Sequence, residues 1–293
     1  GVTIRLRVQH NFELEKEILG MGDGIRVIKP VRLRQSILRR LRGGVDLYRT
    51  ELNDTTVKNR ILQLNHKGSS ILNNIYTRRE INKMSSELNK HLKNQSKQHA
   101  IRELLIKVPK LAPIIMNQNL QSILKKIDKK AVLTKAIFFD KMPQSNWYVT
   151  MHQDVPINVK SKKQVKGYTS WTSKDGVISV CPPEEISKNI FTVRIHIDDA
   201  DEKNGCLQVV PGSHTKRHSD KDLKLITENS LPSFCAVESG GIHLMKPLVL
   251  HASSKSKSNK KRRVIHLEFS SATLPRGLEW KEQLPKNQKL SQK

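Results

Sequence analysis

The pattern of apolar and polar positions changes character near residue 131. Before that point, apolar residues recur at steps of three and four, the pattern of helices that bury one face. In PVRLRQSILRRLR the stripe is Leu33, Ile37, Leu38 and Leu41, with Pro30 placed to open a helix and Gly43-Gly44 placed to end it. NDTTVKNRILQLNHKG predicts a helix over Asp54 to Leu64, closed by Gly68. SSILNNIY then reads as a strand. YTRREINKMSSELNKHL opens on Thr77 with Glu80 three residues on, a capping-box pair that starts another helix. Residues 100–107 and 118–127 complete the helical set.

Beyond residue 131 the periodic runs shorten. AVLTKAIFF, NWYVTMHQD, FTVRIHID, CLQVVPGS, GGIHLMKP and RRVIHLEFS are rich in β-branched residues and are separated by turn signals such as KNG and PGS. Helices first and many short strands afterwards predict an α+β chain, an antiparallel sandwich or barrel with helices packed on one side. Three segments are expected: a basic N-terminal extension (1–50) whose helix docks on the main domain, a single domain (51–275), and a loose polar tail (276–293).

Composition narrows the function classes. No run of 18 apolar residues occurs, so no transmembrane helix is expected. Three cysteines, odd in number and without a CxxC pair, argue against a disulfide framework or structural zinc site and favour a reducing, cytoplasmic setting. The net charge of +26 admits nucleic acid, an anionic membrane surface or an acidic small molecule as partner. Yet Lys and Arg are spread along the chain, aromatics make up only 4%, and no nucleic-acid-binding signature is present. Specific nucleic-acid binding is therefore not expected. Nothing in the sequence sets an oligomeric state.

The residues that could carry chemistry begin with MHQDV. On a strand His152 and Asp154 would project from one face, about 7 Å apart along the chain. Alone, such an HxD pair is commoner on a wet strand than at a metal. GGIHLMKPLVLHASS adds His251 at the end of an apolar run, where a side chain can line a cavity mouth. Two imidazoles and one carboxylate are the facial set that holds non-haem Fe(II) and leaves coordination positions open. In KKRRVIHLEF, Arg262 or Arg263 could clamp a carboxylate with two parallel hydrogen bonds, and only one of them can face a barrel interior.

MHQDV, NGCLQVVPGSH, PLVLHASS and RRVIHLEF, in this order, resemble the phytanoyl-CoA dioxygenase family of Fe(II)- and 2-oxoglutarate-dependent oxygenases. The resemblance is strongest over 131–271 and extends to about 55 through HKGSSILNNIYTRREINKM; the first fifty residues lie outside it. It implies a double-stranded β-helix of the jelly-roll, cupin-like type, with His152, Asp154 and His251 as metal ligands and catalytic centre. The family's 2-oxoglutarate-binding arginine follows the distal histidine by eleven residues, which selects Arg262 over Arg263. Ser253 resembles a hydroxyl that assists the same carboxylate, and Arg194 is a further candidate for the cofactor pocket.

Lys141 and Trp171 are placed at the pocket border by position alone, and His196, His214, His243 and His266 are read as structural. The implied cofactors are Fe(II), 2-oxoglutarate as cosubstrate and O2, with ascorbate as an optional stimulant. Because halogenating relatives carry a small residue where this chain has Asp154, hydroxylation of a small-molecule substrate is implied, with release of succinate and CO2. The basic surface admits an anionic substrate. Two other classes compete: a non-catalytic jelly roll that binds an anionic ligand, and a cupin-like metal enzyme that makes no use of 2-oxoglutarate.

Overall fold

A computed structural model describes residues 3–48, 53–92, 100–141 and 147–283. The chain divides into two compact units, 1–51 and 52–293. In the first, Asn11 caps a helix over Phe12–Gly20 and a second helix spans Val31–Tyr48. The second helix starts after Pro30, as the sequence predicts, but continues through Gly43-Gly44. Glycine disfavours a helix by only about 1 kcal/mol relative to alanine, too little to end one by itself. Of the predicted stripe, Leu33 and Ile37 are buried whereas Leu38 and Leu41 are exposed. Glu15 is buried between the two helices and accepts from Arg40 Nε, with His10 Nε2 at 2.7 Å.

In the second unit the helix Asp54–Lys67 ends on Gly68, which adopts φ 77°. A Cβ there would lie 2.5 Å from the His214 ring, so backbone conformation and space both require glycine. The helix Arg78–Leu92 opens on the predicted capping box: Glu80 N donates to Thr77 Oγ1 and Thr77 N donates to Glu80 Oε2. The helix expected over 100–107 is replaced by a strand and a single turn, Leu104–Lys107. Ile101 is fully buried at a sheet edge opposite Phe138, and that tertiary contact overrides local preference.

Six antiparallel strands form the larger sheet, in the spatial order β1 (Ser69–Leu72), β11 (Ile242–Met245), β8 (Ile190–His196), β13 (Arg262–Ser270), β3 (Val132–Lys141) and β2 (Ala100–Arg102). A four-stranded sheet, β10 (Ser233–Cys235), β9 (Leu207–Val209), β12 (His251–Ser253) and β4 (Val149–His152), faces it. A three-stranded side sheet joins β5 (Ile157–Val159), β7 (Val177–Cys181) and β6 (Thr169–Lys174). The fold is a double-stranded β-helix with helices on one side.

The two faces of the larger sheet differ sharply. Ile265, Leu267 and Phe269 of β13, with Val193 and Ile195 of β8 and Ile242 and Leu244 of β11, pack in one core with Leu64, Met84, Leu88 and Leu120 of the helices. Each such side chain, fully buried, contributes about 1.5–3 kcal/mol. The alternate positions, Arg262, Val264, His266 and Glu268, face the four-stranded sheet and align with Lys141, Phe139, Ile137 and Lys135 on β3. The hydrophobic core thus lies outside the jelly roll, and much of its interior is charged.

The tail expected from residue 276 is packed as far as Glu282, and residues 284–293 lie outside the described residues. Leu278 and Trp280 are buried in the core of the side sheet, Lys281 N donates to Asn158 O, and Glu282 Oε1 accepts from Ala136 N. Burial pushes the Glu282 carboxyl up to about 7, with the Glu103 charge acting in the same direction and the Ala136 N–H against it. A carboxyl raised in the folded state stabilises fully below its unfolded value and loses that contribution as pH rises through the folded one. Stability should therefore fall between pH 4.5 and about 7, by roughly 2–3 kcal/mol. Urea titrations over this range should show the slope in the native chain and its disappearance in Glu282→Gln.

Candidate active site

β4 ends on His152 and β12 begins on His251, and the two residues are direct cross-strand partners. Their rings lie 4.3 Å apart between centroids. His152 Nδ1 is 2.8 Å from Thr150 O, and His251 Nδ1 is 2.9 Å from Val249 O. A carbonyl can only accept, so each Nδ1 carries a proton and, in the neutral ring, each Nε2 keeps its lone pair.

Asp154 reaches the same place by a different route from the one the sequence suggests. The strand stops at His152, so strand alternation does not place the carboxylate. Asp154 N donates instead to Pro247 O. Gln153 turns outward, donating to Lys216 O and Leu248 O and accepting from His218 N. These bonds tie the HxD segment to the turn that leads into His251. Asp154 Oδ1 consequently lies 3.4 Å from His152 Nε2 and Oδ2 lies 3.4 Å from His251 Nε2. The three ligand atoms fall within 4.8 Å of one another.

With both rings neutral, two lone pairs face a carboxylate, an arrangement relieved by a metal cation among them or by a proton on a ring. Two imidazole nitrogens and a carboxylate oxygen, held in this way, fit a divalent first-row metal. Without one, burial pushes the Asp154 carboxyl up, but the charge and hydrogen bonds of His251 and His152 outweigh it and hold the group well below its usual range.

On the inner face of the larger sheet lies a cationic group. Arg262 pairs in register with Lys141, and both reach Ser253 of the facing sheet. Lys141 Nζ is 3.2 Å from Ser253 Oγ and donates to Ser254 O at 2.6 Å, while Arg262 Nη2 is 3.4 Å from Ser253 Oγ. Arg262 Nε is buried without a partner. Burial, and then the Arg194 charge, lowers the Arg262 guanidinium to about 10; burial, and then Arg262, lowers the Lys141 ammonium to about 8. Arg263 points the other way. Its Nε and Nη2 grip Asp198 at 2.8 and 2.7 Å, and its Nη1 donates to Ser85 Oγ on the helical side.

Arg194 is buried on the inner face of β8, beside His243 and His266. His266 links Arg194 to Glu268, which also pairs with Lys135 at 2.8 Å. His196 is buried with neither ring nitrogen partnered, and His243 meets Ser69 Oγ at 2.7 Å. His214 sits at the end of the first helix of this unit, with Nε2 3.1 Å from Asn65 O. Trp171 packs in the side-sheet core. His196, His243 and His266, read from the sequence as core or surface residues, are all buried on the inner face. For His266 the sequence held a signal, since on one strand Arg262, His266 and Glu268 share a face; His196 reaches the same side by pairing with Val264.

Residues 56–264 match the family model of phytanoyl-CoA dioxygenase (PhyH), and residues 1–45 match that of the WCX domain. No curated protein matches the chain in sequence. Among solved structures it is similar to the non-heme alpha ketoglutarate dependent carbocyclase SnoK from nogalamycin biosynthesis, at 12% identity and TM-score 0.57, over 73% of this chain and 83% of that one. The epimerase SnoN, in complex with Fe3+, alpha ketoglutarate and nogalamycin RO, is 10% identical with TM-score 0.59, over 75% of this chain and 86% of its own. EctD from S. alaskensis, with 2-oxoglutarate and 5-hydroxyectoine, is 12% identical with TM-score 0.57, over 76% and 77%. At such identities these likenesses speak for the fold. Fold and family match together define the class, an enzyme dependent on non-haem iron and 2-oxoglutarate. The chain belongs to the phytanoyl-CoA dioxygenase family.

Because Arg263 is committed to Asp198, its loss should act on stability alone. Arg263→Gln is expected to lower the urea midpoint by an amount equivalent to about 1.5–3 kcal/mol, as for a charged hydrogen-bonded pair. Calorimetric titration of the folded variant should show an unchanged affinity for 2-oxoglutarate.

Proposed function

We propose that the protein is an Fe(II)- and 2-oxoglutarate-dependent hydroxylase of a small molecule, with His152, Asp154 and His251 as metal ligands and Arg262 as the principal contact of the cosubstrate's far carboxylate. The observation that carries this reading is that two imidazole Nε2 atoms and a carboxylate meet at one point, with a buried cationic group in the same interior on the facing sheet.

A ferrous ion bound there supplies activation of O2 coupled to oxidative decarboxylation of 2-oxoglutarate to succinate and CO2. The chain's own residues do the rest. Thr150 O and Val249 O fix the ring orientations, and the bonds of Gln153 and of Asp154 N hold the carboxylate opposite them. Arg262 and Lys141 offer donors to a carboxylate beside Ser253, whose Oγ accepts from both and donates to Gly205 O. Retention of a carboxylate at Asp154 leaves no vacancy for a halide at that position, which favours hydroxylation.

The test is anaerobic binding of Fe(II) followed by 2-oxoglutarate. Asp154→Ala and His251→Ala should each weaken iron binding by more than the ~10–100-fold typical of an outer-shell change. Unaltered iron affinity in both variants would sink the ligand assignment. Arg262→Gln should leave iron bound and weaken 2-oxoglutarate by about 2–5 kcal/mol, roughly 30-fold or more. Succinate release under air, measured over metabolite pools, then reports turnover.

Lys141 gives the cosubstrate site a pH dependence. Its ammonium is retained below about 8 and lost above it, and only the protonated form attracts a carboxylate. Affinity for 2-oxoglutarate should be level at neutral pH and decline as pH rises through about 8. In Lys141→Met the affinity should be lower and this decline absent. A decline of equal size in that variant would show that another group titrates.

A further inference from the structure

We propose that Arg194 reads a carboxylate on the organic substrate, so that the enzyme acts on an organic acid; this rests on the reading of the site above. Three polar side chains follow one another on the inner face of β8: Thr192, Arg194 and His196. Among the described residues, Thr192 Oγ1, Arg194 Nε and both His196 ring nitrogens are buried without a hydrogen-bond partner. Arg194 itself is only 7% exposed. A buried guanidinium with an open donor is costly to maintain unless a ligand completes it.

Among the described residues no carboxylate lies within ion-pair distance of Arg194. Its one side-chain hydrogen-bond partner is His266 Nδ1, at 2.9 Å. The neighbouring Glu268 is engaged by Lys135 at 2.8 Å and by His266 Nε2 at 3.2 Å. Asp154 acts on Arg194 only through its field and faces the two metal-site imidazoles.

Arg194 does not duplicate Arg262. It aligns with His266 on β13, four residues from Arg262 and so about 13 Å along the strand. Arg262, Lys141 and Ser253 account for one end of a dicarboxylate, and the other end would lie at the metal site. Charge gives the same answer. With Lys135 and Glu268 offsetting each other, Lys141, Arg194 and Arg262 face the single carboxylate of Asp154. A divalent cation and a dicarboxylate dianion offset each other, leaving that excess of positive charge in place. One more anionic group, at the level of Arg194, reduces it.

The experiment uses the Fe(II)-loaded protein under argon with saturating 2-oxoglutarate, titrated with acetate and, separately, acetamide at constant ionic strength. The thermal midpoint is the readout. Acetate should raise it saturably and acetamide should leave it flat. Arg194→Gln should weaken acetate by about tenfold or more while leaving 2-oxoglutarate affinity unchanged. Arg194→Lys keeps the charge and serves where the glutamine variant does not fold; it should retain part of the acetate response.

Indistinguishable responses to acetate and acetamide in the native chain would overturn the proposal. So would an Arg194→Gln variant that loses 2-oxoglutarate as severely as Arg262→Gln, since Arg194 would then belong to the cosubstrate. Both outcomes spare the oxygenase reading. Failure of the native protein to bind 2-oxoglutarate at all is the separate result that removes that reading, and this inference with it.

Discussion

Ile265, Leu267 and Phe269 on one side of β13, and Arg262, His266 and Glu268 on the other, set a constraint on everything else in the domain. A strand in the middle of a sheet has two faces and a period of two. Here one face is packed by helices and the other looks into the jelly roll. A slip of one residue would drive an arginine, a histidine and a glutamate toward the helical core and expose the apolar trio to the charged interior. The register is therefore fixed by the hydrophobic side, and the chemistry on the inner side inherits its placement from it.

That division explains how the domain tolerates an interior that is poor in apolar contacts. Burying an ion without a partner costs several kcal/mol even after relaxation. The interior holds Lys141, Arg194 and Arg262, together with His196, whose burial and cationic neighbours keep it neutral. The compensating burial lies outside the jelly roll, in the layer where Leu64, Met84, Leu88 and Leu120 meet the larger sheet. A small apolar cluster of Leu207, Val209, Cys235, Met245 and Val249 fills another part of the interior. Function occupies the remaining space.

The candidate metal site relies on backbone groups as much as on side chains. Two carbonyls, each two residues before its histidine, select the ring nitrogen that faces inward. A third carbonyl, Pro247 O, holds the amide of Asp154 where no strand continues. The turn at 246–250 thus serves two ligands: it fixes the loop that carries Asp154 and it delivers His251 at the start of β12. A change that shifted this turn would disturb Asp154 and His251 together.

Much of this was legible in the sequence. The change of texture near residue 131, the capping box at Thr77 and Glu80 and the strand runs were enough for an α+β chain, because periodicity and turn chemistry are local; the order of four motifs added, by resemblance, the jelly-roll fold and His152, Asp154 and His251 as candidate donors. Arg262 and Arg263 are adjacent and chemically identical, so local pattern could not separate them; their neighbours do, Ser253 and Lys141 for one, Asp198 and Ser85 for the other. Arg263 shares its face with Ile265, Leu267 and Phe269, whose core lies between sheet and helices. Residues 100–107 read as helix because their preference for the edge of β3 exists only once β3 is in place. Trp280 and Glu282 looked like a polar tail because their partners, Val159 and Ala136, are more than a hundred residues away. The sequence determined by itself which residue types were available and which elements they favour. Tertiary structure alone decided which side of the sheet became core and which became site, since that depends on what packs against each face.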